Sequence, residues 1–214
     1  VQSNGGLIVA IISNGTTITD AGAFSVGLGS LVLIKTITLS SAAATIDFLN
    51  GASSVVFDST YPIYKFQFIN IHPATDSATF SFQVDTGTNT SYNQAITSTA
   101  FRAIHDEDDS PANVSYEGGN DLAQGTDFQI LANDVGNDND QSCSGYLEIV
   151  NPSSSTFTKN FMGETNFAQG ANIFFNQYTA GYVNTTTALT RIRFKFHSGN
   201  IQTGTINMYG IKDS

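Results

Sequence analysis

The carboxylates pose the first chemical question. Residues 101–121, FRAIHDEDDSPANVSYEGGND, hold six of the eighteen acidic residues, and DVGNDNDQSCSG at 134–145 adds three more. Asp106, Glu107, Asp108 and Asp109 supply the paired carboxylates that acid–base chemistry uses, and on an extended chain Asp106 and Asp108 share a side. A catalytic acid also needs a cleft that shifts its pKa. The neighbouring residues supply no apolar or aromatic cleft, and the run ends at Pro111 in turn chemistry. The expectation is a solvated loop with no catalytic residue.

Calcium is the sharper reading of the second cluster. Asp134, Asp138 and Asp140, with Asn137 and Asn139, place hard oxygen ligands at alternating positions, and such a set can encircle Ca²⁺. An EF-hand starting at Asp138 would need Gly at Cys143 and Glu at Ile149, so that motif fails. Asp and Asn also cap tight turns without metal, and this is the favoured reading. A structural Ca²⁺ at Asp134, Asp138 and Asp140 stays as the alternative, with no other cofactor expected.

Other groups give less. His72, His105 and His197 have no spacing that demands a metal, and Ser142, Cys143 and Ser144 lack a nucleophile elbow. Cys143 is the single cysteine, so no intrachain disulfide forms. Sugars stack on exposed aromatic rings, but most of the sixteen phenylalanines sit at core-facing alternate positions and there is no Trp. Tyr92, Tyr116 and Tyr178, in loop-like segments, are the candidate ligand-touching residues.

The elements that must position these groups are strands. Period-two alternation sets Phe80, Phe82 and Val84 against Thr79, Ser81 and Gln83, and Ile192, Phe194 and Phe196 against Arg191, Arg193 and Lys195. Both read as half-buried strands. Further strands are expected at 31–39, 43–48, 62–71, 98–105, 127–133, 145–151, 156–163, 173–183 and 203–211. No window sustains an amphipathic helical pattern, and Gly, Asn, Asp and Ser fill the spacers. The fold expected is all-β: one antiparallel β-sandwich domain over 30–214, with a jelly roll the leading topology. Residues 1–29, glycine-rich and without Lys, Arg or Pro, read as an extended N-terminal arm or, through 7–12, as a first strand.

Composition excludes some partners. Charged residues make up 12% of the chain, against roughly 25% in an average domain, and the net charge is −10 with eight Lys and Arg. A nucleic-acid partner would need clustered cations, so none is expected. The apolar run GLIVAII lacks a basic flank and is too short to span a bilayer, so no membrane insertion is expected. Weak self-repulsion and an apolar arm favour a homo-oligomer, a trimer over a dimer.

Five blocks carry a family resemblance: GSLVLIKTITLSSAAATIDF, FDSTYPIYKFQFINIHPATDSATFSFQVD, TSTAFRAIHDEDDS, NDNDQSCSGYLEIVNPSSSTFTKNFMG and TAGYVNTTTALTRIRFKFHSGNIQTGTINMYGIK. Across 30–212 the chain resembles virion-associated structural proteins of marine bacteriophages such as cyanophages. Residues 164–178 and the N-terminal stretch fit less closely. The resemblance implies an exposed part of the virus particle, a tail-fibre-like appendage or a head decoration, and no established catalytic motif. The function expected is therefore a non-enzymatic virion structural protein on the particle exterior. It would contact other virion proteins and bind surfaces weakly and multivalently, a host-surface glycan among them. The alternative is a carbohydrate-binding or carbohydrate-degrading receptor-binding protein.

Overall fold

A computed structural model describes residues 11–13, 16–20, 23–24, 30–110, 112–170 and 173–212. Among them every regular element is a β-strand. Strands β1 (Ile11–Ser13), β2 (Thr16–Asp20) and β3 (Ala23–Phe24) form a small antiparallel sheet of their own within the stretch read as an arm. Most of the apolar run at 7–12 lies outside the described residues. Then follow β4 (Leu31–Thr38), β5 (Ile46–Leu49), β6 (Ile63–Pro73), β7 (Ala78–Thr86), β8 (Ile96–Asp106), β9 (Ala112–Tyr116), β10 (Ala123–Gly125), β11 (Gln129–Val135), β12 (Cys143–Val150), β13 (Lys159–Ala168), β14 (Ile173–Val183), β15 (Leu189–Phe196) and β16 (Ile201–Ile211).

Two antiparallel sheets built from these strands pack against each other as a β-sandwich. The larger runs β10-β8-β14-β13-β12-β6-β16-β4, with β9 also on β8, and the smaller runs β11-β7-β15-β5. Eight of the strands are nested: β4 pairs with β16, β5 with β15, β6 with β12 and β7 with β11. Two insertions interrupt the nest. Strands β8–β10 come between β7 and β11, and β13–β14 between β12 and β15; together they extend the larger sheet beyond β12.

The alternation in β7 and β15 is what fills the space between the sheets. Phe80, Phe82 and Val84 pair across with Phe196, Phe194 and Ile192, and all six are buried. Phe194 lies against Phe48, Phe66, Phe68, Phe80 and Phe82 with ring centroids 5.3–6.4 Å apart. Each side chain of this size withdrawn from water contributes about 1.5–3 kcal/mol. At one edge of this core Tyr64 is buried; its hydroxyl accepts the Asp58 N–H at 3.0 Å. Burial raises its pKa to about 12.

The other face of β7 departs from the half-buried expectation. Thr79, Ser81, Gln83 and Asp85 are buried as well; segments 87–95 and 126–128 fold over Gln83 and Asp85. The Asp85 carboxylate accepts from the Thr86 and Tyr92 N–H groups and from the Asn89 and Gln94 amides, at 2.8–3.0 Å. Gln83 Nε2 donates to the carbonyls of Gln94, Thr126 and Asp127. Buried polar groups require such complete pairing, which is why this lid is fixed rather than loose.

Where the insertions meet β11 the seam is polar. Ser98 Oγ donates to Gln129 Oε1 at 2.6 Å, Gln129 Nε2 donates to Asn120 O at 2.7 Å, and Asn120 Nδ2 donates to Gln177 Oε1 at 2.9 Å. Gln177 Nε2 reaches Thr179 Oγ1, and Thr165 Oγ1 donates to Leu131 O. All of these side chains are buried. At the β12–β13 turn a buried cation does similar work: Lys159 Nζ donates to the carbonyls of Ser154, Phe157 and Thr185 at 2.7, 2.8 and 3.3 Å. Burial lowers its pKa.

Candidate functional site

The outward face of the larger sheet carries an unbroken cross-strand row. Register pairs link Tyr116 to Phe101, Phe101 to Tyr178, Tyr178 to Glu164, Glu164 to Tyr146, Tyr146 to Gln67, Gln67 to Asn207 and Asn207 to Thr36. Eight strands at about 4.8 Å spacing make this row roughly 34 Å long. Two of the three tyrosines singled out from sequence, Tyr116 and Tyr178, thus share one site. Tyr178 lies within β14 rather than in a loop, and Tyr116 ends β9.

One half of the row is aromatic. The Phe101 and Tyr178 rings stack at 4.9 Å with planes 13° apart, a favourable cross-strand arrangement. Phe101 is 45% exposed and Tyr116 60%, and Val114, Phe174 and Met162 are exposed on the same face. Asn176 Nδ2 donates to Glu164 Oε1 at 3.1 Å and to the Tyr178 hydroxyl at 3.2 Å. A hydrogen bond to Glu164 raises the Tyr178 phenol pKa, and one to Asp121 does the same at Tyr116. The other half is polar: Lys65 Nζ sits 3.9 Å from the Tyr146 ring centroid and 2.9 Å from Glu148 Oε1, and Thr36 Oγ1 donates to Asn207 Oδ1 at 2.8 Å.

Gly145 lets the row cross β12. Its φ is +148°, and a Cβ there would run into the Glu164 carbonyl oxygen. The register of β12 against β6 shifts at this point, so the glycine admits a bulge beside Tyr146.

Tyr92 requires a correction. It is carried inward by the lid over β7, is only 3% exposed, and has the Arg193 guanidinium 4.1 Å from its ring centroid. Arg193 also makes a bidentate pair with Asp47 at 2.7 and 2.8 Å. Burial leaves Tyr92 no face for a ligand.

The calcium alternative finds no support either. Asp134 sits on β11 with φ +58°, and Asp138 and Asp140 lie beyond the strand end. Gln141 ties this loop: its Oε1 accepts the Asp138 N–H, its N–H donates to Asp138 O, and its carbonyl meets His72 Nδ1 at 2.6 Å. Among the described residues no group of three His, Cys, Asp or Glu side chains could hold a metal ion.

The acidic run at 106–109 is the turn between β8 and β9. Asp106 Oδ1 accepts the Ser110 N–H at 2.6 Å, Asp106 O accepts the Asp109 N–H, and exposed His105 pairs with Asp109 at 3.1 Å. The Asp106 and Asp109 carboxylates are thus engaged in the turn, and Glu107 and Asp108 are exposed. Cys143 is buried, and burial pushes its thiol pKa up, away from the reactive thiolate.

Phe101, Glu164 and Tyr146 belong to the row, with Asn176 beside it, and none of the four is singled out by the sequence. In β8, Phe101 lies on the face opposite buried Ser98 and Ala100. Which face meets water depends on what packs beneath, and no single strand records that. Comparison with family models, curated proteins and solved structures finds no match to this chain.

Proposed function

We propose that the eight nested strands are a jelly roll and that the protein is a non-enzymatic structural component exposed on a bacteriophage particle, as a tail-fibre-like appendage or a head decoration. The observation that carries this reading is where the resembling blocks fall. They cover, to within one residue, β4, β5, β6, β7, β12, β15 and β16, all the nested strands except β11, together with β8, the first half of β13 and the last half of β14. First-with-last pairing of eight strands in two sheets is the jelly-roll arrangement, which recurs in viral capsid and lectin domains. Such a module, repeated on a particle, suits homo-oligomers, a trimer favoured, and contacts with other virion proteins.

Mass spectrometry of density-purified particles tests the reading. The protein is expected in the intact particle at many copies. Its recovery only in the soluble lysate overturns the proposal.

A second reading, carbohydrate binding at the particle surface, is favoured by the exposed aromatic half of the row beside Glu164 and Asn176. Many copies would make even millimolar contacts with a host-surface glycan effective. In either reading the Asp106→Asn and Asp108→Asn variants behave as the parent towards polysaccharide, with no degradation to lose.

A further inference from the structure

A cleft of about 390 Å³ lies on the outward face of the smaller sheet, away from the aromatic row. Thr79, Ser81, Asp127, Phe128, Lys195 and His197 line it. Lys195 pairs with Ser81 across β15 and β7, and the His197 N–H donates to Thr79 O. The opposite parity of the same strands, Phe80, Phe82, Phe194 and Phe196, is in the core. The four polar side chains therefore form two adjacent cross-strand pairs on one face.

Some of these groups are already engaged. Thr79 Oγ1 donates to Asn133, and Ser81 Oγ donates to Lys195 O at 3.3 Å. The Thr79 N–H donates to His197 Nδ1 at 2.8 Å, so the neutral ring carries its proton on Nε2. Lys195 Nζ rests 4.4 Å from the Phe128 ring centroid and makes no ion pair among the described residues. Lys65, Arg102 and Arg193 also lie over rings, yet each has a carboxylate partner. The wall bearing Asp127 and Phe128 is anchored from beneath by fully buried Gln83, whose amide donates to Thr126 O and Asp127 O.

Two nitrogen donors, one carboxylate and an aromatic wall thus remain on a preorganised frame. A lone anion would meet Asp127 and a lone cation would meet Lys195. Vicinal hydroxyls, which both donate and accept, suit the combination, and the volume accommodates a ligand of sugar size. We propose that this cleft binds one pyranose unit of a neutral glycan. The Asp127 carboxylate accepts from a ring hydroxyl, Lys195 Nζ and His197 Nε2–H donate to sugar oxygens, and Phe128 supplies the apolar contact. The inference goes beyond the virion reading, since a particle protein without this site remains a particle protein, and it uses no residue of the aromatic row.

The test is NMR on the full chain with the methyl glycosides of glucose, galactose and mannose and with N-acetylglucosamine. Glucuronate and inorganic phosphate serve as anionic probes. At about 10 mM probe, where millimolar binding is visible, at least one neutral sugar is expected to show saturation transfer and to shift the amides of 79–81, 126–128 and 195–197. Asp127→Asn and Lys195→Met are each expected to weaken that binding at least about tenfold, the size of one lost charge-assisted hydrogen bond, while Asp108→Asn, in the exposed β8–β9 turn, leaves it unchanged. Four results each overturn the proposal: no response to any neutral sugar, shifts confined to the row at Phe101 and Tyr178, unchanged binding in both cleft variants, or stronger binding of phosphate or glucuronate. The amide-shift map in the unaltered protein decides the matter even where a variant fails to fold.

Discussion

The phenylalanine core of the nested strands and the seam beneath the insertions solve the same burial problem with opposite chemistry. Between β6, β7 and β15 the sheets are joined by rings: Phe66, Phe68, Phe80, Phe82 and Phe194, with no polar atom to satisfy. Where β8 and β14 approach β11, the joining groups are Ser98, Gln129, Asn120, Gln177 and Thr179, each held by a specific hydrogen bond. Phe101, Tyr178 and Phe174 of those same two strands face outward, while Ile96, Phe175 and Val183 turn into the core. Burial of rings supplies bulk stability and tolerates small shifts; a hydrogen-bonded seam adds little net energy but fixes register. The difference teaches that the insertions are held in one alignment, and that alignment is what lines up the outward row.

The largest effect expected is in the core. Phe194→Ala removes the ring at its centre and should lower unfolding free energy by about 3–5 kcal/mol in chemical denaturation. A loss below about 0.5 kcal/mol, the ordinary size of a surface change, would break the contrast by showing the rings to be loosely packed. Next comes Lys159→Met, which leaves the carbonyls of Ser154, Phe157 and Thr185 without their shared donor. A cost of about 2–3 kcal/mol is expected, with faster amide exchange confined to 151–158 and 184–188.

Alkaline titration sharpens the core side of the comparison. Tyr64 has its pKa raised by burial from 10.0 to about 12, so folding favours the neutral phenol. Its contribution is complete below pH 10 and is lost as pH rises through about 12. Stability measured across that window should fall, and Tyr64→Phe should fall less steeply. The smallest effect belongs to the outward row: Phe101→Ser loses one ring stack, about 0.5–1.5 kcal/mol, and chiefly reduces adhesion of the protein to surfaces, measured as retention on immobilised glycans or particles. A loss as large as that of Phe194→Ala would mean that Phe101 is a core residue.

Much of the framework was legible in the sequence because period two is a local signal. Phe80, Phe82, Phe194 and Phe196 alternate with polar residues, and β4, β6, β14 and β16 begin and end within two residues of the expected spans. Strands β9 and β10 were not anticipated; ANVSY and AQG are short, polar and defined by their pairing with β8 alone. The candidate site was half legible. Tyr116 and Tyr178 could be named, but 62 positions separate them, and only the pairing of both with Phe101 brings them together. Tyr92 misled for the converse reason: NTSYNQ reads as an open loop, and nothing local says that Asp85 will draw its backbone inward. Asp134, Asp138 and Asp140 have the spacing of ligands but not their convergence, which depends on how Gln141 ties the loop.

The central claim is an exposed place on the particle. Gold-labelled antibody against residues 101–121, whose acidic turn is exposed at Glu107, Asp108 and Asp109, applied to intact particles tests it most directly. The account predicts regularly repeated label on the outside of undisrupted particles, at the head or along an appendage. Label that appears only after particles are broken open, or only on host-cell material, would contradict it.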